Sequence, residues 1–278
     1  MNGSGSRPER SRRRWRPSPF LQASALLHLG ALAATLWKPG LARWAAGAVV
    51  ADHAIAIAAG LWPRSRLLGP NLRRLPPVTG AVALTFDDGP DPQVTPRVLD
   101  LLDDAGFRAT FFVIGRRAQR HPDLVREIHR RGHRLGNHTY RHSNAFSLFG
   151  PRRIGDEIDR TQQLITQLTG EAPTHFRAPA GLRGPWLEPL LHRRSLQLVS
   201  WTRRPFDTTT SSPERVLARL LRDLAAGDIL LLHDGRPNGR PQPLPILEVL
   251  PPLLAELERR GLRSVALPTC PATGRTVD

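Results

Sequence analysis

Short apolar runs alternate with stretches of helical periodicity from Ala81 to the C-terminal region. Apolar runs of this length are typical of buried strands, and apolar residues spaced three and four apart indicate amphipathic helices. The predicted strands cover residues 81–86, 109–114, 133–136, 174–177, 196–201, 228–232 and 263–267. The predicted helices cover residues 96–105, 122–131, 151–169, 213–226 and 245–260, the first with Thr95 as N-cap and Pro96 as first residue. This alternation predicts a parallel α/β fold with barrel-like closure, whose reactive groups gather at the C-terminal ends of the strands.

Two longer apolar segments precede this pattern. Residues 20–37 carry no formal charge over 18 residues, about the shortest length that crosses a bilayer. Residues 41–62 form a second apolar segment, and Trp37 and Trp62 stand where interfacial anchors would lie. We predict a two-helix membrane hairpin. A soluble helical hairpin is the alternative, and a cleaved signal peptide fits less well because a second apolar segment follows the first.

Charged residues within and around these segments bear on topology. Asp52 and His53 lie midway along the second segment, where they are costly in lipid unless they pair with each other or face the partner helix. Six arginines precede the first segment and four follow the second, whereas only Lys38 and Arg43 lie near the turn. The positive-inside rule then favours a two-pass hairpin in a bacterial inner membrane with the main domain on the cytoplasmic side. If the second segment does not cross, that domain lies outside.

Charge is distributed unevenly along the 278 residues. The chain has 40 Lys and Arg against 24 Asp and Glu, a formal charge of +16, and residues 1–80 hold 12 basic and 2 acidic residues. The basic cluster borders apolar segments and no nucleic-acid-binding motif accompanies it, so we expect membrane lipids rather than nucleic acid as partners. The single cysteine, Cys270, excludes an intramolecular disulfide and a thiolate metal cluster. The predicted organisation is a disordered basic tail (1–19), the hairpin (20–62), a linker (63–80), a catalytic domain (81–270) and a tail (271–278).

Polar side chains follow two of the predicted strands. Asp87 and Asp88 end the first strand, and two adjacent carboxylates at a buried position are costly unless a cation or a proton lies between them. His138 and His142, spaced so that a helical turn or a similar loop places both on one side, follow the third. Two imidazoles and one carboxylate with an open position are typical of a divalent-metal hydrolytic site, most often zinc. The second carboxylate would then act on a water that the metal activates.

Five segments resemble, in order, the five motifs of the polysaccharide deacetylase family, the NodB-homology domain of carbohydrate esterase family 4. They are TFDDGP (85–90), HTYRH (138–142), FRAPAG (176–181), WTRRPFD (201–207) and GDILLLHD (227–234). The similarity covers about residues 81–270. It implies a distorted parallel (β/α) barrel of about seven strands that removes acyl groups from N-acetylated sugars with a divalent metal.

The resemblance also implies roles for individual side chains. It assigns the general base to Asp87 and the metal ligands to Asp88, His138 and His142. The general acid, which protonates the leaving amine, is His233. A histidine at the end of a buried strand suits this step, because breaking the C–N bond needs a proton at nitrogen.

Further residues are assigned to orientation and to substrate binding. The resemblance implies that Arg177 orients the base and is itself held by Asp207. Pro179, Ala180 and Leu231 are the expected substrate-binding residues. The backbone N–H at Ala180 would serve the oxyanion. Leu231, with the leucine after it, either walls the acyl pocket or is ordinary strand core.

Three positions depart from the family pattern. Ala180 stands where an aromatic residue is usual, Thr208 where tryptophan is usual, and Arg204 where an acidic residue is common. These changes affect the substrate groove more than the chemistry. We therefore expect an N-acylated amino sugar, lipid-linked or part of the cell envelope, as substrate, with a lipid-linked sugar preferred over a finished polymer. The alternative is a catalytically inactive carbohydrate-binding barrel of the same fold.

Overall fold

The structure, a computed structural model, describes residues 15–76, 80–210, 212–236 and 244–269. Two N-terminal helices, α1 (Pro19–Trp37) and α2 (Ala42–Leu61), are joined by a 3₁₀ turn at Pro39–Leu41. The strands that follow are β1 (Ala81–Asp87), β2 (Ala109–Val113), β3 (Arg134–Asn137), β4 (His175–Phe176), β5 (Gln197–Leu198), β6 (Ile229–His233) and β7 (Arg263–Ser264). The helices among them are α3 (Thr95–Asp104), α4 (Gly115–Arg120), α5 (Pro122–Arg130), α6 (Pro151–Thr169), α7 (Leu187–Arg193), α8 (Pro213–Leu221) and α9 (Ile246–Arg259).

The strands form one parallel sheet in the order β5-β4-β3-β2-β1-β6, with β7 also paired to β1. Every predicted strand is present among the described residues, and the prediction of a distorted parallel barrel is confirmed. Helices α4 and α7 were not predicted. The sequence of α4, GRRAQR, is too short and too polar to show helical periodicity.

Apolar side chains divide between the two faces of the curved sheet. Leu84 and Phe86 of β1, with Leu230 and Leu232 of β6, pack in a large cluster against the outer helices. Ala83 and Ile229, which directly precede Leu84 and Leu230 on the same strands, pack instead in a smaller cluster with Phe112 and Leu267. The alternation follows from the period of two along a strand. It leaves Asp87 and His233 at the strand ends, at the rim of the sheet.

The gap between the edge strands β5 and β6 is partly filled by residues before β1. Leu72 forms a parallel bridge with Val199 just after β5: its N–H donates to Leu198 O and its carbonyl accepts the Ser200 N–H, each at 2.9 Å. The Leu75 N–H donates to Gly227 O at 2.8 Å. Arg74 forms an ion pair with the buried Asp228 at 3.0 Å. The predicted linker (63–80) thus contains residues that pack as part of the barrel, because the backbone groups of an open sheet edge need partners.

Helix α3 begins differently from the prediction. Thr95 is its first residue and not its N-cap. The Thr95 hydroxyl donates to Asp234 Oδ2 at 2.6 Å and accepts the Asp91 N–H at 2.8 Å. The Asp91 carboxylate accepts the N–H groups of Gln93 (2.9 Å) and Val94 (3.3 Å) and so performs the capping function predicted for Thr95.

Helices α1 and α2 pack against each other as a hairpin. Ser24 donates to Asp52 Oδ2 at 2.7 Å, and the rings of His28 and His53 lie 5.1 Å apart. Asp52 therefore faces the partner helix, as expected. Both helices are long and apolar enough to cross a membrane, a property that soluble core helices and signal sequences share. Residues 1–14 of the predicted basic tail, together with Cys270 and the tail after it, lie outside the described residues.

Candidate active site

Four strand ends bring the motif residues to one edge of the sheet. Asp87 ends β1 and is paired in register with His233, which ends β6. On the other side of β1, β2 carries the sheet to β3, after which His138 follows directly. Arg177 follows β4. Because all four strands are parallel, their carboxyl ends meet at the same rim. The structure thus brings together residues from four of the five sequence motifs through strand register alone.

Three side chains form a candidate metal centre. One ligand atom from each of Asp88, His138 and His142 lies within 4.8 Å of the others. Asp88 Oδ1 lies 3.5 Å from His138 Nε2 and 3.3 Å from His142 Nε2. Among the described residues this buried oxygen has no hydrogen-bond partner, and a buried acceptor without one is costly. A carboxylate oxygen and two imidazole nitrogens converging on one point fit a divalent cation such as zinc.

The ionisation of Asp88 and His142 favours cation binding, whereas His138, despite its burial, has its pKa raised by the adjacent carboxylates of Asp87 and Asp88. Burial alone would raise the pKa of Asp88, but the close approach of His138 and the nearby His142 and His233 lower it to about 2, so the carboxylate is charged at neutral pH. Burial and the charge of His138 lower the pKa of His142 to about 4, which keeps this imidazole neutral and able to ligate. Nδ1 of His138 lies 2.7 Å from Arg177 O, a contact that suits an Nδ1–H donor. Nε2 is then free for a cation.

The loop that carries the two histidines is not helical. Thr139 and His142 have φ angles of 63° and 52°, in the left-handed region. The buried carboxylate of Glu157, on α6, accepts the N–H of Tyr140 at 3.0 Å and that of Arg141 at 2.8 Å. Sequence reasoning missed Glu157, since it lies outside the motifs and reads as one of many charges on a helix. Its two contacts help to fix the loop, together with backbone hydrogen bonds from Gly115 and Arg116.

We expect Glu157→Ala to weaken metal binding by about 10-fold, a loss typical of outer-shell partners of metal ligands. The reason is that two loop N–H groups between the histidines lose their acceptor. Competition with a chromogenic chelator measures the affinity. Glu171→Ala, at an exposed position just after α6, is the matched control and should bind zinc as the parent does. Equal zinc affinity in the two variants would show that the loop holds its shape without Glu157.

Arg177 is fully buried and makes contacts that fix Asp87. Its Nη1 donates to Asp87 Oδ1 at 2.7 Å and to the Thr85 hydroxyl at 2.8 Å, and its Nη2 donates to Ser200 O at 3.1 Å. The guanidinium also lies 4.2 Å from the ring centroid of Phe112. Asp87 therefore has one oxygen tied to a fixed cation. Its other oxygen, Oδ2, lies on the side of His138, 3.7 Å from Nε2.

Asp207 contacts His233 and not Arg177. Its Oδ1 lies 2.8 Å from His233 Nδ1, and its Oδ2 accepts the His233 N–H at 3.0 Å. The expected contact between Asp207 and Arg177 is not observed among the described residues, because the acceptors around the guanidinium are Asp87, Thr85 and backbone carbonyls of residues 199–200. Burial lowers the pKa of His233, but the Asp207 charge and hydrogen bond outweigh it and raise the pKa to about 9.

The expected substrate-binding residues lie at different depths. Pro179 is buried and Ala180 is exposed with φ 53°, within the short 3₁₀ turn that follows Arg177. Leu231 is buried, while the next residue, Leu232, packs in the helix-facing core and cannot wall a pocket at the rim. Of the two leucines, only Leu231 remains a candidate for the acyl pocket.

Comparisons with known proteins find relatives by sequence and by fold. The family model described as polysaccharide deacetylase matches residues 75–192. A peptidoglycan-N-acetylglucosamine deacetylase of Bacillus cereus is 36% identical over 188 residues, which cover 67% of this chain and 85% of the relative. A chitooligosaccharide deacetylase of a Bradyrhizobium strain is 35% identical over 201 residues, covering 68% and 90%. The crystal structure of the Bc1960 peptidoglycan N-acetylglucosamine deacetylase superposes with a TM-score of 0.66 at 30% identity, covering 71% of this chain and 91% of that one.

Proposed function

Because the chain belongs to the polysaccharide deacetylase family, the NodB-homology family of carbohydrate esterases, we propose that it hydrolyses the N-acyl amide of an amino sugar at the rim of its barrel. The chain is a hydrolase of carbon–nitrogen bonds, as its relatives named deacetylases are. The observation that carries the proposal is the convergence of three units at one rim. These units are the Asp87–Arg177 pair, the candidate metal centre and the His233–Asp207 pair.

Asp87 is the general base in this proposal. A divalent metal held by Asp88, His138 and His142 would polarise the amide carbonyl and acidify the attacking water. Arg177 holds one oxygen of Asp87 and leaves the other directed toward the candidate metal centre. This arrangement holds the carboxylate in one orientation, from which it can accept the proton of the attacking water. The backbone N–H of Ala180, an exposed residue in the turn after Arg177, is the proposed donor to the developing oxyanion.

His233, at the end of β6, is the general acid in this proposal. Its Nδ1 is paired with Asp207, so Nε2 is the atom that donates a proton to the leaving amine. With a pKa near 9 the imidazole is protonated at neutral pH, which an acid requires. Asp207 raises that pKa and fixes the ring, and it makes no contact with the base.

Asp207→Asn should move the alkaline limb of the rate profile to lower pH by about 1 unit or more, because the anion that raises the His233 pKa is gone. The sign follows from the role: only protonated His233 donates, so activity falls as pH rises through its pKa, and a lower pKa brings the fall earlier. The profile of kcat/KM against pH measures it. Asp159→Asn, which removes a partly exposed carboxylate paired with Arg194, should leave the limb in place. An unmoved limb in Asp207→Asn would assign the alkaline ionisation to another group.

The N-terminal hairpin places this chemistry at a membrane in our proposal. Apolar side chains on α1 and α2 are largely exposed, and the exposed set includes Leu26, Leu29, Leu36, Trp44, Val50 and Ile57. Exposed apolar surface over the length of two helices is typical of a lipid or protein contact. We favour a two-pass hairpin in the inner membrane, with an N-acylated amino sugar that is lipid-linked or attached to the cell envelope as substrate. Flanking arginines then contact anionic headgroups.

Release of acetate and formate by the detergent-purified chain tests the function. The substrates are N-acetylglucosamine oligomers and a lipid-linked N-acyl sugar, each assayed after chelation and after zinc is restored. We expect zinc-dependent release. If neither substrate releases acid while one zinc is bound per chain, the catalytic proposal fails and a carbohydrate-binding barrel is favoured.

A further inference from the structure

A cavity of about 680 Å³ lies where the hairpin meets the barrel, a volume common for ligand pockets. It is lined by Ala58, Leu61 and Trp62 at the end of α2, and by Trp201, Arg204 and Phe206 in the loop after β5. We call it the junction pocket. The fourth sequence motif supplies the second group of residues, so this cavity joins the apolar hairpin to a loop of the active site.

Close backbone contacts fix this junction. The Arg183 N–H donates to Gly60 O at 3.1 Å, and a Cβ added to Gly60 would lie 2.3 Å from Arg183 O. A Cβ added to Gly181 would lie 2.6 Å from atoms of both Pro63 and Trp201. The end of α2 thus packs directly on the turn that carries Pro179 and Ala180. The position of the junction pocket is therefore fixed by close packing between α2 and the barrel.

Two arginines at the junction pocket form no ion pair with a carboxylate that the structure describes. Arg204 lies over the rings of Trp201 (5.4 Å to the centroid) and Phe206 (4.8 Å). Among the described residues, neither the Arg204 side chain nor that of Arg64, which also lines the pocket, makes an ion pair or a hydrogen bond. Arg203, by contrast, is paired with the buried Asp228 at 2.9 Å. The carboxylates whose charges act on Arg204 are those of Asp207 and Asp87, and neither forms an ion pair with it. Guanidinium groups without an ion pair, beside aromatic rings, suit a phosphate attached to an apolar chain.

The junction pocket is continuous with the catalytic rim. Trp201 contacts Arg204 on the pocket side, and the guanidinium of Arg177 lies 5.8 Å from the same ring centroid. Arg177 in turn holds Asp87. The charges of Asp207 and Asp87 act on Arg204, so a ligand whose phosphate lies at Arg204 is close to the residues of the catalytic rim. Its apolar chain lies along the end of α2, where the hairpin surface is already apolar.

We propose that the junction pocket binds the phosphate and the first carbons of the lipid anchor of a lipid-phosphate-linked amino-sugar substrate. The inference rests on the proposed deacylase function and names its substrate class. Arg64 and Arg204 contact the phosphate, Trp62 and Leu61 contact the chain, and the sugar extends past Trp201 to the metal centre. A polymer would not need the paired apolar and cationic lining.

Binding is tested without turnover, using farnesyl phosphate as the probe and the full-length chain in lipid nanodiscs. Titration calorimetry compares farnesyl phosphate with farnesol and with inorganic phosphate. We expect farnesyl phosphate to bind most tightly, and Arg204→Gln and Arg64→Gln each to weaken it by about 10-fold, the effect of losing a charged hydrogen bond. Arg66→Gln, an exposed arginine of the same segment outside the pocket, is the matched control.

The outcomes separate this inference from the function on which it rests. The phosphate assignment is overturned if farnesol or inorganic phosphate binds as tightly as farnesyl phosphate. It is also overturned if Arg204→Gln and Arg66→Gln bind farnesyl phosphate with equal affinity. In the turnover assay we expect Arg204→Gln to lower kcat/KM for the lipid-linked sugar at least about 5-fold more than for soluble oligomers. An equal loss on both would make the pocket a sugar subsite and overturn the inference while the deacylase function stands. Arginine-dependent binding of farnesyl phosphate without any acid release would contradict the function alone.

Discussion

Asp87→Asn is expected to retain one zinc per chain and to lose turnover by about 10³-fold, within the range that general-base catalysis supplies. In our assignment Asp88, His138 and His142 would hold the metal without Asp87, whose nearer contact is Arg177 at 2.7 Å. The amide keeps the shape of the carboxylate but cannot accept the proton of the attacking water. Zinc content by atomic spectroscopy and acid release from the same preparation measure the two quantities together.

The same substitution also leaves the fully buried Arg177 without its counter-ion. Breaking a buried pair costs about 3–5 kcal/mol, so the thermal midpoint of Asp87→Asn should fall, and activity is assayed well below it. Asp159→Asn is the matched control for a carboxylate lost from a more exposed ion pair. Turnover in Asp87→Asn within 10-fold of the parent would assign the base to another group. Loss of zinc would instead make Asp87 a ligand.

The strands and most of the site were predictable because their signals are local. Residues 81–84 and 229–232 are continuous apolar runs, as strands covered on both faces require. Once these strands are parallel, their ends must share a rim, so Asp87, His138 and His233 converge without knowledge of any contact. Motif order then assigned a role to each residue. The strands and the convergence of these side chains therefore follow from the local sequence.

Contacts between distant segments were not predictable. In sequence, Glu157 lies 17 and 16 residues from the two loop residues whose N–H groups it accepts, and it belongs to none of the motifs. The partner of Asp207 was wrongly predicted, because a sequence cannot say which of two nearby cations a carboxylate faces. Leu72 and Leu75 read as linker, since their role is to meet an open sheet edge whose position only the closed barrel defines. In each case the contact depends on tertiary packing, which the local sequence does not determine.

His138→Ala is expected to abolish stoichiometric zinc binding and, with it, acid release. Removing one of three protein ligands should weaken zinc binding by more than about 100-fold, beyond the loss that follows removal of an outer-shell partner. The other two ligands cannot compensate, because Asp88 Oδ1 then faces only His142 Nε2, at 3.3 Å. Dialysis against buffered free zinc, followed by metal analysis, measures the affinity directly.

A surface histidine supplies the control for this substitution. His129→Ala, in the last turn of α5, should bind one zinc and retain full activity. His138→Ala also removes the contact with Arg177 O, so circular dichroism must show that the fold persists before zinc is measured. Retained zinc affinity in a folded His138→Ala chain would contradict the ligand assignment. Full zinc loss with the fold intact would place the metal where Asp88, His138 and His142 converge. If zinc restores acid release in the parent chain but not in His138→Ala, that metal is required for catalysis.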